Sequence, residues 1–210
     1  MSKDLLITKN NYIIVGDSIT YGIGGYQQNG WVSILKNKLL NKEGTKESTN
    51  YVHCVGFPGA TSKEILKKFE SIVATYYSSD MNNIIMVSIG VNDTQIFKGT
   101  PKTNIDEYKS NIIKIIDFVK KKSNCNIVFV GLTSIKEKSE PFFWKTDKYY
   151  DYNIINDYDN ILREVCNKNG VKYIPMIDVL TEDDFIDGLH PNDFGYTKIY
   201  EKILLSIDEF

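Results

Sequence analysis

Short apolar runs alternate with amphipathic stretches along the whole chain. Tyr12-Ile13-Ile14-Val15 is a compact apolar run that stops at Gly16, the pattern of a strand buried on both faces. From about Gly30 to Glu43, Trp31, Ile34, Leu35, Leu39 and Leu40 recur at helical spacing. Tyr51–Val55 reads as a second strand, and helical spacing returns from about Ser62 to Tyr76 through Ile65, Leu66, Phe69, Ile72 and Val73. Ile84–Ile89 is a third strand ended by Gly90, and Asn104–Lys122 is a long amphipathic helix. Ile127–Val130 is a fourth strand closed by Gly131. After a non-periodic stretch, about Thr133 to Tyr150, the pattern predicts a helix over Asp151–Asn167 that stops before a C-capping Gly170. Val171–Ile174 is a fifth strand, and a last helix, with Pro191 in its first turn, runs to about Ile207.

Strands that alternate with helices imply parallel βαβ units with right-handed crossovers and helices on both faces of the sheet. The expected fold class is α/β, a three-layer α/β/α sandwich around a five-stranded parallel sheet in flavodoxin-like order. The 210 residues contain no internal repeat and no Pro-, Gly- or Ser-rich linker, so residues 1–210 are expected to form a single domain. In such sheets a site forms outside the carboxyl ends of the strands. Four segments should therefore share one edge: Gly16-Asp17-Ser18-Ile19-Thr20, Gly56-Phe57-Pro58-Gly59-Ala60-Thr61, Gly90-Val91-Asn92-Asp93 and Asp187-Gly188-Leu189-His190.

Composition narrows the function classes. A net charge of −2 lacks the basic surplus of a nucleic-acid binder, so no nucleic-acid partner is expected. Arg163 is the sole arginine, which leaves almost no bidentate clamp for phosphate or carboxylate. Cys54, Cys125 and Cys166 are odd in number and widely spaced, so they read as buried free thiols, neither a disulfide framework nor a metal site. The polar start, Met1–Asn11, has no apolar segment of the signal-peptide kind, and no run approaches the ~20 apolar residues of a membrane span. The expectation is a soluble, cytoplasmic protein without integral membrane association. Nothing in the chain indicates its oligomeric state.

The candidate chemistry falls in the four loops. His190 follows Asp187 by three residues through a glycine, so a turn could set the carboxylate against one imidazole nitrogen and leave the other facing outward as a base. The same spacing also suits two capping residues. Ser18 sits at a sharp strand exit, as an exposed nucleophile or as a turn or N-cap serine. Gly59 could bring its N–H close to a substrate, and Asn92 offers an amide donor at the end of the third strand; each is equally at home in a plain turn. His53, inside the second strand, reads as a packed or edge side chain. Asp17 and Asp93 read as turn-holding residues, and Gly22-Ile23-Gly24-Gly25 as a loop without the spacing of a phosphate cradle. Phe142, Phe143 and Trp144, with Tyr149 and Tyr150, could wall an apolar substrate pocket, or form a satellite core or a dimer contact.

Taken together, these four blocks resemble the SGNH, or GDSL-type, serine hydrolases over nearly the whole chain. Gly16-Asp17-Ser18 is similar to the first family block, with Ile19 where many members carry leucine. Gly59, Gly90-Val91-Asn92-Asp93 and the Asp187/His190 pair match the other three. Cys54 departs from the asparagine often found two residues before a glycine in the second block. The resemblance implies Ser18 as nucleophile, His190 as general base and then acid, Asp187 as its orienter, and an oxyanion hole from the N–H groups of Ser18 and Gly59 and the Asn92 amide. It also implies that no metal or organic cofactor is needed.

The expected activity is hydrolysis of a carboxylic ester through an acyl-enzyme on Ser18. The first substrate class is a short-acyl or O-acetyl ester of a carbohydrate or other small molecule. Alternatives on the same site are a lysophospholipase or other lipid esterase, a thioesterase and an acyltransferase. A non-catalytic flavodoxin-like module that binds a ligand at the same edge is the alternative of another class.

Overall fold

The computed structural model describes residues 9–40, 50–136 and 148–207. Five parallel strands, β1 (Asn10–Gly16), β2 (Asn50–Gly56), β3 (Asn82–Ser88), β6 (Cys125–Val130) and β8 (Lys172–Ile174), form one sheet in the order β2-β1-β3-β6-β8. This is the flavodoxin-like order. The two central strands, β1 and β3, are covered on both faces, and their apolar runs are continuous rather than alternating for that reason. Ile13, Ile14, Val15, Ile85, Met86 and Val87 have no solvent exposure. β2 is an edge strand and leaves Tyr51 and Cys54 exposed.

The main helices are α2 (Trp31–Leu40), α3 (Ser62–Tyr76), α4 (Ile105–Lys120), α5 (Tyr152–Asn169) and α6 (Asp193–Ile207). α3, α4 and α5 pack side by side, and α2 pairs with α6. The division follows from handedness. The β1-to-β2 connection moves one way along the sheet and later connections move the other, so right-handed crossovers place α2 on one face and α3, α4 and α5 on the opposite one. The direction reverses at β1, and the crevice between the carboxyl ends of β1 and β3 is where such sheets bind ligands.

The five strands and five long helices lie where the hydrophobic pattern places them, and Gly170 closes α5 with φ 62° in the left-handed region. Four features differ. A one-turn helix, α1 (Ser18–Tyr21), follows β1 directly. A second, three-stranded antiparallel sheet is built from β4 (Ile96–Phe97), β5 (Thr100–Pro101) and β7 (Lys148–Tyr149), in the order β5-β4-β7. Its two-residue strands are too short for a period-two pattern to register. Pro191 lies ahead of α6 and pairs with Phe185 across an isolated antiparallel bridge, while Asn192 caps the helix by accepting from Gly195 N at 3.0 Å. Of the three thiols expected to be buried only Cys166 is, because β2 lies at the sheet edge and Cys125 at the half-covered start of β6.

Gly16 lets α1 fold back tightly on β1. A Cβ there would stand 2.1 Å from Thr20 Oγ1 and 2.4 Å from the Ser88 carbonyl oxygen. At Gly170 a Cβ meets nothing within 4 Å, and only the left-handed backbone disfavours it. Gly16→Ala should therefore cost about 3 kcal/mol, against about 1 kcal/mol for Gly170→Ala. Urea unfolding checks both, and equal losses would contradict the crowding at the β1–α1 turn.

Candidate active site

Each of the four loops leaves the carboxyl end of the main sheet and is fixed by its own local chemistry. Asp17 caps α1 by accepting from Ile19 N at 3.0 Å, which leaves Ser18 as the first helical residue at the mouth of the crevice. Phe57-Pro58-Gly59-Ala60 makes a turn closed by Ala60 N to the Phe57 carbonyl at 3.0 Å, with Pro58 second and Gly59, at φ 78°, third. That is the residue order of a type II turn, whose third position needs a positive φ. Asn92 sits in a short 3₁₀ turn, Val91–Thr94, after β3.

The loop that carries Asp187 and His190 is clamped at its base. Ile186 N donates to the His190 carbonyl at 2.9 Å, and Asn192 N to the Asp184 carbonyl at 2.8 Å. Within the loop, Asp187 Oδ1 accepts from the backbone N–H of Leu189 at 3.0 Å and of His190 at 2.8 Å. This Asx-type turn presents the other carboxylate oxygen to the ring. His190 Nδ1 lies 2.7 Å from Asp187 Oδ2, and His190 Nε2 lies 3.0 Å from Ser18 Oγ. Gly24 packs behind the histidine, where a Cβ would fall 3.2 Å from His190 Cβ.

Electrostatics distinguish the carboxylates of this edge. Burial pushes the Asp187 carboxyl up, but hydrogen bonds from the His190 ring and from the His190 and Leu189 N–H groups outweigh it and hold it below the usual range. Asp187 thus stays ionised beside an imidazole that can take up a proton. Asp17 is pushed up to about 6, chiefly by burial and further by the charge of Asp93, against the opposing Ile19 N–H and His190. Asp93 is also pushed up to about 6 by burial, although its carboxylate accepts from Ser62 Oγ at 2.6 Å and Ser62 N at 2.8 Å. The sequence suggests only a turn-holding role for Asp93; its carboxylate ties the β3 loop to the start of α3.

The Asn92 amide faces the same crevice. Its Nδ2 donates to the Ala60 carbonyl at 3.1 Å and to Asp17 Oδ2 at 3.3 Å, and its Oδ1 accepts from Tyr150 OH at 3.3 Å. Ser18, Gly59, Asn92, Asp187 and His190 all line one cavity of about 350 Å³. Ile23, Pro58 and Leu189 add apolar surface, while Gln95, Lys102, Lys148 and Tyr150 add polar groups from the ends of the small sheet. Lys102 Nζ donates to the Gly59 carbonyl at 3.2 Å. Tyr150 was a candidate wall residue; Gln95 and Lys102 carried no signal, since they flank strands too short to read. Tyr149 is exposed on β7. Phe142, Phe143 and Trp144 lie outside the described residues. His53 is removed from this edge and stacks on Tyr76 with ring centroids 4.5 Å apart.

The model of the GDSL-like lipase/acylhydrolase family matches residues 14–198, a span that holds all four loops. The chain belongs to this family. As a GDSL-type acylhydrolase it is an esterase-class enzyme. It is 25% identical over 205 residues to an isoamyl acetate-hydrolyzing esterase of Schizosaccharomyces pombe, covering 95% of this chain and 76% of that one. Among solved structures, a lipolytic G-D-S-L protein from Veillonella parvula superposes with a TM-score of 0.73 at 20% identity, covering 96% of this chain and all of that one. A lipase/acylhydrolase from Enterococcus faecalis superposes at 0.74 and 18% identity, covering 96% of each chain. These two share the three-layer fold. Among the described residues of this GDSL-type chain, no helix is long and apolar enough to cross a membrane.

Asp17 allows a test of its buried charge. Its carboxyl binds a proton more tightly folded than unfolded, so the stability it contributes is present below about pH 4 and is lost as pH rises through about 6. Between pH 4 and 7 the wild type should lose roughly 3 kcal/mol relative to Asp17→Asn. Thermal or urea unfolding across that range reads the gap, and a gap independent of pH would refute the buried charge.

Proposed function

We propose that this enzyme hydrolyses a carboxylic ester of a short acyl group through an acyl-enzyme on Ser18. The observation that carries the reading is the continuous contact from Asp187 through His190 to Ser18, 2.7 Å and then 3.0 Å. Ser18 Oγ attacks the ester carbonyl while His190 Nε2 takes its proton. Asp187 holds the Nδ1 proton of the ring and stabilises the imidazolium that forms. The carbonyl oxygen gathers negative charge next to the N–H groups of Ser18 and Gly59 and the Asn92 amide. Collapse of the tetrahedral intermediate expels the alcohol, which receives the proton from His190. Water, deprotonated by the same ring, then attacks the acyl-serine and regenerates the hydroxyl.

The cavity supports a small substrate. Its volume of about 350 Å³ is at the lower end of small-molecule sites. Ile23, Pro58 and Leu189 suit a short acyl chain, and Gln95, Lys102, Lys148 and Tyr150 offer hydrogen bonds to a hydroxyl-rich alcohol such as a sugar. The relative named for isoamyl acetate favours the acetyl end of the acyl range.

Ser18→Ala and His190→Ala should each lower kcat/KM on p-nitrophenyl acetate by at least about a thousand-fold with the fold intact by circular dichroism. A fluorophosphonate probe should label the wild type and not Ser18→Ala. Unchanged turnover in either variant would remove the serine mechanism. A screen from acetyl to long-chain esters, thioesters and acetylated sugars, run with and without an acceptor alcohol, separates the short-acyl esterase from a lipid esterase, thioesterase or acyltransferase.

A further inference from the structure

The cavity is not electrically symmetric. On the His190 side, Asp187 is the one carboxylate among the described residues that line it, and it is already committed. Its Oδ1 accepts from two backbone N–H groups and its Oδ2 faces the ring at 2.7 Å. The opposite wall comes from the small sheet and its hairpin. Residues 95–103 and 148–150 contain Lys98, Lys102 and Lys148 and no acidic side chain. Lys102 and Lys148 line the cavity together with Ser18. The whole chain has a net charge of −2, so this cationic wall runs against the balance of the molecule. The fold holds these ammonium groups there. Lys148 stands opposite Phe97 in the β4–β7 pair, with its Nζ 5.7 Å from the centre of that exposed ring, and Lys98 Nζ approaches the same ring to 5.3 Å. Lys102 Nζ donates to the Gly59 carbonyl at 3.2 Å, which uses one of its three N–H groups. Glu64 Oε2 lies 3.9 Å from it but already accepts from Thr61 N at 2.8 Å and Thr61 Oγ1 at 2.9 Å. An exposed pair at that distance neutralises little of the charge. Among the described residues, no carboxylate oxygen lies within 4.0 Å of Lys148 Nζ.

We propose that Lys102 and Lys148 form an anion subsite beside Ser18, and that the preferred substrate is an ester whose alcohol carries a carboxylate, as an acidic sugar or a hydroxy acid does. The inference rests on the esterase reading above and narrows the alcohol of that reading. Two lysines act as hydrated point charges on flexible stems, not as a bidentate clamp. They draw an anion to the mouth of the cavity without imposing a single geometry. Their effect therefore falls on encounter and binding more than on the bond that breaks, and it is screened by salt.

The test compares acetyl esters that differ in charge and little in shape: 4-acetoxybenzoate against neutral 4-acetoxybenzamide, and the 3-acetoxy pair to vary the reach of the anion. At low ionic strength the wild type should favour the benzoate by about 10-fold in kcat/KM, mostly through KM. Raising NaCl from about 0.02 M to about 0.5 M should bring that ratio to within about two-fold of unity. Lys102→Gln and Lys148→Gln should each lower the ratio about three-fold, and Lys102→Glu with Lys148→Glu should reverse the preference. The ratio cancels any general damage a substitution does to the site, and the salt series needs no variant at all. A wild-type ratio near unity in both pairs, a preference that salt does not move, or one that survives in the double Gln variant would overturn the anion subsite. Ser18→Ala, assayed on the benzamide ester, tests the esterase reading separately: loss of turnover keeps that reading whatever the ratio, and persistent turnover would bring down both.

Discussion

The hydrogen bond between His190 Nε2 and Ser18 Oγ joins residues 172 positions apart in the chain. At 3.0 Å it tolerates little error, and no local segment can set it. Ser18 is placed by β1, a central strand buried on both faces, and by the turn in which Gly16 admits α1 against the Ser88 carbonyl. His190 is placed by a loop cinched at its base between Asp184 and Asn192 and braced behind by Gly24. The core on which both rest fixes the distance between the two loops, since a packed interior resists the small shifts that would open the contact.

The same edge concentrates buried charge. Asp17 and Asp93 are both pushed up to about 6 by burial. Each joins loops that would otherwise be independent: Asp17 the start of α1 to Asn92, and Asp93 the β3 loop to Ser62 at the start of α3. Asn111 of α4 extends the second tie by donating to Ser62 Oγ at 3.0 Å. A buried carboxylate held by neutral donors costs stability above its pKa. The cost falls where rigid placement of the loops matters most. Asp187 works in the opposite sense: three donated hydrogen bonds outweigh its burial and keep it charged next to the ring.

The small antiparallel sheet extends this arrangement to the donor side of the cavity. Lys102, just after β5, reaches the Gly59 carbonyl, and Tyr150, just after β7, reaches Asn92. The Lys102 N–H also bonds the Gln95 carbonyl at 2.9 Å, which closes the base of the β4–β5 hairpin. Two of the three groups expected from the family resemblance to face the oxyanion, Gly59 and Asn92, are thus held from outside the main sheet, by a structure whose strands are two residues long.

Much of this was legible in the chain. The apolar runs at Tyr12–Val15 and Ile84–Ile89 and the helical spacing of Ile65, Phe69, Ile72 and Val73 determine local structure through side-chain burial, which has a period that can be read. Alternation of strands and helices then determines a parallel sheet, and a parallel sheet sends Ser18, Gly59, Asn92 and His190 to one edge. What only the tertiary structure decided are the contacts whose partners are distant and whose local signal is absent. The carboxylate of Asp93 goes to Ser62 rather than to its own turn, Pro191 pairs with Phe185 ahead of α6, and Gln95 meets Tyr150 across strands with no periodicity. The physical reason is that hydrophobic burial is repeated along an element and leaves a pattern in sequence. A single directional hydrogen bond between loops is made once, and its partner is chosen by the packing of everything between them.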